Sequence, residues 1–154
     1  MRPDPTTEWP VDSPRQRLLD WLARARCAWS VANTDPVERP DERLVADGAV
    51  GGTPIRLVHD ALDRPDHVRV VCPLGALPRG DVVPLLRLLL QANLQASLAG
   101  ETQVLGLDPG SDTVCLTDEL SLQPDGEDLF RLGLFHLADQ PLRGREGRLL
   151  PTAA

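Results

Sequence analysis

The stretch between Asp81 and Gly100 is apolar on almost every side, with Val82, Val83, Leu85, Leu86, Leu88, Leu89, Leu90, Ala92, Leu94, Ala96 and Leu98. Asp81 is a good N-cap, Pro84 falls in the first turn where its missing N–H costs little, and Gly100 is a natural stop. The spacing therefore predicts a helix over 81–99. An ordinary surface helix buries one stripe and shows water the other. Here apolar surface is left over once one face is packed on a sheet, and it is worth about 25 cal/mol per Å² when removed from water. Either the helix is central and wrapped by its own monomer, or another polypeptide covers its second face. A second copy of the chain is the simplest cover.

The 154 residues fit one domain, and 42% hydrophobic residues suffice for one core. The net charge of -7 opposes binding to nucleic acid or insertion at an anionic membrane, where phosphates would be repelled. All 16 basic residues are arginine, Tyr is absent and Ile55 is the single isoleucine, which points to a GC-rich bacterial genome. Cys27, Cys72 and Cys115 are odd in number and widely spaced, so neither a disulfide framework nor a zinc site is expected. Met1 to Trp9 is polar and proline-rich and does not read as a signal peptide, and Val82 to Leu90 is too short to span a bilayer. Cytoplasmic residence is the expectation.

Residues 1–12 read as a flexible arm. Ser13-Pro14 starts a first helix, with Leu18, Leu22, Ala25 and Trp29 at helical spacing and Leu19 and Trp21 beside them. Three strands follow: Arg43 to Asp47, Pro54 to Asp60 and His67 to Cys72, with turn chemistry at Asp47-Gly48 and Gly51-Gly52 and Pro73 as a terminator. After the 81–99 helix come strands Thr102 to Leu107 and Thr113 to Leu116, joined through Asp108-Pro109-Gly110-Ser111-Asp112 as a type II turn. A last helix begins within Pro124 to Asp128, buries Phe130, Leu134, Leu137 and Ala138, and is broken by Pro141. Residues 13–140 form the domain and 141–154 a loose tail. The expected class is α+β in the order α-β-β-β-α-β-β-α, a five-stranded twisted antiparallel sheet with three helices.

That order, together with Leu88-Leu89-Leu90-Gln91-Ala92-Asn93, Leu105-Gly106-Leu107-Asp108-Pro109, Val114-Cys115-Leu116, Leu120-Ser121-Leu122, Leu129-Phe130 and Phe135 to Ala138, resembles the class I type III secretion chaperones, the Tir chaperone family. The resemblance implies a homodimer whose contact is made by residues 81–99 and 102–107. Within them we expect Val82, Leu85, Leu86, Leu89, Ala92, Asn93, Ala96, Val104 and Leu105 at the interface. It also implies a partner: the extended N-terminal segment of a secreted effector, held soluble without ATP or any other cofactor and ready for a secretion ATPase. Family members usually continue the last helix through a Trp-Arg pair, whereas this chain has Pro141-Leu142-Arg143 near that point.

An extended segment can be held by adding a strand to a sheet edge and by seating apolar side chains in shallow patches. Expected effector contacts are Leu18, Trp21, Leu22 and Trp29 on the first helix and Val45, Val58 and Val71 on the sheet, the alternative for the helix residues being a place in the core. His59, His67 and His136 are too scattered for a metal site. Asp108, Ser111 and Asp112 lack the later glutamate of a calcium loop, and Gly48, Gly51 and Gly52 do not lead into a helix as a phosphate loop would. No catalytic constellation is visible. A small ligand-binding α+β domain or enzyme, or a dimeric scaffold or regulatory subunit, stays open as an alternative.

Overall fold

A computed structural model describes residues 12–32 and 43–146, the last six as backbone alone. The expected arm up to Val11, the loop around Pro36 and Pro40, and the end of the tail lie outside the described residues. Among those described, three helices accompany one six-stranded antiparallel sheet: α1 Pro14–Arg24, β1 Ser30–Ala32, β2 Leu44–Val50, β3 Thr53–His59, β4 His67–Ala76, α2 Val83–Leu98, β5 Val104–Asp108, β6 Thr113–Ser121 and α3 Glu127–Glu146. The strand order is β1-β2-β3-β4-β6-β5.

The sixth strand corrects the five expected. Ser13 caps α1 through its side chain, 3.2 Å from the Gln16 N–H, but the helix ends at Arg24 and Ala25 is already extended. Trp29 is thus not the fourth turn of a helix. Its ring lies over Gly48, where any Cβ would stand 2.5 Å from the indole. The three residues after it pair with β2, Val31 opposite Ala46. Asp47-Gly48 is accordingly strand, not turn. The β2–β3 hairpin closes at Gly51-Gly52, whose φ values of 57° and 81° suit a two-residue primed turn.

One sheet face is the core side. Leu44 and Ala46, then Ile55, Leu57 and His59, then Val68, Val70 and Cys72 are all buried, as period-two alternation requires. They pack under α1 and α3 together with Leu18, Trp21, Leu22, Phe130, Leu134 and Leu137. Trp21 meets Phe130 at a ring-centroid distance of 5.2 Å. His59 Nε2 lies 2.8 Å from the Pro65 carbonyl, and burial holds its imidazole below the ordinary 6.5. The unfolded chain therefore gains a proton near that pH which the folded chain refuses, so stability is complete above pH 6.5 and declines below it. Unfolding free energies from urea titrations between about pH 7.5 and about pH 5 should fall, by at most about 1.4 kcal/mol per pH unit from this group, and a His59→Gln variant should lose that slope.

Four further expectations are corrected. Pro73 does not end β4: the register shifts between Pro73 and Gly75, and pairing with β6 resumes at Gly75 opposite Val114 and Ala76 opposite Thr113. Strand β6 extends to Ser121, and in the turn before it the left-handed residue is Asp112, at φ 49°, rather than Gly110. Pro141 does not break α3, which runs on to Glu146. A proline there leaves the Leu137 carbonyl without its usual donor. The Cys72 thiol, 3.6 Å away, points its S–H at that oxygen, and the Thr53 hydroxyl donates to the next one, Ala138 O, at 3.0 Å. Burial pushes the Cys72 thiol up to about 11, so it keeps the proton it donates. Two strands thus supply donors at the proline step. Thr53→Val, which removes one of them at nearly constant volume, should cost about 0.5–1.5 kcal/mol in urea unfolding.

Candidate partner-binding surfaces

Helix α2 stands apart from the core: none of its residues is fully buried. At one end the N-cap position is Val82 rather than the expected Asp81, whose Oδ1 still accepts the Val83 N–H at 3.0 Å. At the other, Gly100 with φ 75° allows the Glu101 N–H to reach Ala96 O at 2.9 Å and its own N–H to reach Ser97 O, a Schellman stop. The helix is fastened to β5 by one side chain. Asn93 Nδ2 donates to Leu105 O at 2.8 Å and Asn93 Oδ1 accepts the Leu105 N–H at 2.7 Å. The carboxamide thus does at this strand what a neighbouring strand would do, and blocks part of the β5 edge.

Around that anchor, Val82, Leu85, Leu89, Ala92 and Ala96 are half-buried. They form the stripe turned toward β5. Most of the residues expected at a dimer contact therefore already have a neighbour within the chain, Leu105 included. The open flank is different: Val83, Leu86, Leu90 and Leu94, with Leu90 70% and Leu94 61% exposed. These four recur at i, i+3, i+7 and i+11, one continuous stripe of a helix. Exposed Val104 and Leu107 on β5 add to the apolar surface. Arg87, Gln91 and Gln95 share the far side with Leu88 and Leu98, 54% and 80% exposed, so exposed apolar surface continues around the helix.

A second surface lies at the opposite end of the sheet. The segment after α1, the end of β2 and the middle of α3 enclose an open groove of 320 Å³, lined by Arg24, Ala25, Arg26, Cys27, Trp29, Val50, Arg131, Leu134 and Phe135. Phe135 is 55% exposed, whereas Leu134 is buried. Glu127 holds both Arg24, at 2.8 Å, and Arg131, at 2.9 Å, and those bonds, Arg24 first, keep its carboxyl below the ordinary range. Among the described residues Arg26 makes no ion pair. Strand β1, the terminal strand of the sheet, begins one residue after Trp29.

The expected effector contacts divide. Leu18, Trp21 and Leu22 are core residues and cannot meet a partner without unfolding α1. Trp29 alone among the helix candidates lines the groove. Val45, Val58 and Val71 lie on the sheet face away from the core, half-buried. Val45 stands opposite Val58, Val58 opposite Arg69, and Arg56 opposite Val71. Ion pairs Arg56–Asp47 at 2.7 Å and Arg69–Glu119 at 3.6 Å run through the same rows, so arginine stems cover part of these valines. Phe135 and Leu134 were not among the expected partner contacts. One signal pointed to Phe135: it follows Phe130 by five residues, about 140° around a helix, so both cannot face one core.

No protein-family model matches the chain, and no curated protein matches it. Among solved structures it superposes on a chain of the crystal structure of the ExsC–ExsE complex, with a TM-score of 0.55 and 18% identity, covering 71% of this chain and 78% of that one. The likeness is one of fold. No helix among the described residues is long and apolar enough to cross a membrane.

Proposed function

We propose that this chain is a bacterial, cytoplasmic type III secretion chaperone, without enzymatic activity of its own. It binds the extended N-terminal segment of a secreted effector, keeps it soluble and competent for export without ATP, and presents it to the secretion ATPase. Two copies associate through the open flank of α2 and the adjoining part of β5. The observation that carries this reading is the fold likeness to a chain taken from a two-protein complex. The exposed Leu90 and Leu94 and the groove beside β1 supply the physics: one apolar surface for a second copy, one for a partner.

Ordering a long flexible segment costs several kcal/mol, which only a wide contact surface offsets. Sheet edge and shallow groove provide such a surface while leaving the segment unfolded and releasable. The test is co-expression with a candidate secreted effector, chosen from the genes adjoining this one, followed by limited proteolysis. The reading requires an N-terminal stretch of that partner to resist cleavage only while this chain is present. A partner digested equally fast with and without it defeats the reading.

A further inference from the structure

We propose that the groove between the end of α1 and α3 selects an acidic segment carrying a bulky apolar side chain, a preference that rests on the chaperone reading and sharpens it. The molecule as a whole is anionic, with a net charge of -7. The groove rim reverses that sign: Arg24, Arg26 and Arg131 stand around it, and among the described residues the carboxylate bonded there is Glu127, shared by two of the three, with Asp20 acting on Arg24 from farther off. The floor is apolar, made by Trp29, Leu134 and Phe135. Guanidinium groups offer only hydrogen-bond donors, so the complement is a ligand rich in carboxylates. At 320 Å³ the space sits at the small end of ligand pockets and suits one or two side chains of a peptide. A peptide running along β1 passes within a residue of it. The edge then supplies sequence-independent main-chain bonds, and the groove supplies the choice of side chain.

The experiment uses the full chain and fluorescein-labelled peptides in an extended Ser/Thr background, each with one central Phe flanked either by aspartates or by lysines, and a third with the aspartates but no Phe. Anisotropy should show the Asp–Phe peptide binding roughly tenfold or more tighter than the Lys–Phe one, since each exposed ion pair gained or lost counts for a few-fold. The gap should narrow as salt screens the rim. Arg26→Glu should shrink or invert the preference, and Phe135→Asp should abolish binding of the Asp–Phe peptide while the thermal melt stays unchanged, because that side chain is largely exposed. Equal binding of the two Phe peptides, a lysine preference, no loss on removing Phe, or no measurable binding overturns the inference. So does a peptide that dissociates a self-associated form, which would make a second copy the occupant of the groove. A partner protected in co-expression but indifferent to these variants would sink the groove assignment and leave the chaperone reading standing.

Discussion

Replacing Leu90 and Leu94 together by aspartate is expected to turn a dimer into a folded monomer. Both side chains are more than half exposed within one copy, so the change costs the single chain little. In the proposed dimer they meet apolar surface, where two unpaired carboxylates cost several kcal/mol. That corresponds to on the order of a thousandfold or more in the dimer dissociation constant. Sedimentation of wild type and variant at equal concentration checks it, with the far-UV spectrum unchanged. A variant that still sediments as the wild type does would remove α2 from the interface. Leu89 is the wrong place for this experiment. It lies half-buried on the stripe that meets β5, so Leu89→Asp would also strip α2 from its own sheet and confuse assembly with folding.

The second large effect concerns Trp21. A tryptophan on an amphipathic first helix reads as a binding hot spot, but here it is 4% exposed and packed on Phe130 in the main core. Trp21→Ala should therefore cost about 3–5 kcal/mol of stability in urea or thermal unfolding, a large part of what a domain of this size has. Loss of partner binding would follow from unfolding. Phe135→Asp offers the contrast, with stability retained and binding lost. Near-wild-type stability of Trp21→Ala would show that the α1–α3 contact is misassigned.

What the sequence made legible was local. Asp81, Pro84 and Gly100 mark α2 because capping and stopping act within a turn or two of the residues that perform them. The alternation of Ile55, Leu57 and His59 marks β3 because a face half-turned to the core must repeat every second residue. What stayed hidden depended on distant neighbours. Strand β1 is three residues long and has no period to read. Trp29 continued the spacing of Leu18, Leu22 and Ala25, yet its place is fixed by Gly48, nineteen positions away. Pro73 and Pro141 both look like terminators, and both are crossed, the first by a bulge, the second where Cys72 donates to the carbonyl that Pro141 leaves without its donor. The α2 surface could be anticipated from composition, though not which leucines Asn93 would turn toward β5. The groove could not, since its wall comes from three separate elements and its charge from arginines that, read along the chain, look like an ordinary solvated face.

Co-purified with its secreted partner, the assembly has a mass that light scattering reads without assumptions about shape. Two copies of this chain around one partner molecule are expected, α2 against α2, with one continuous polypeptide laid over both. A complex containing a single copy of this chain would contradict this arrangement.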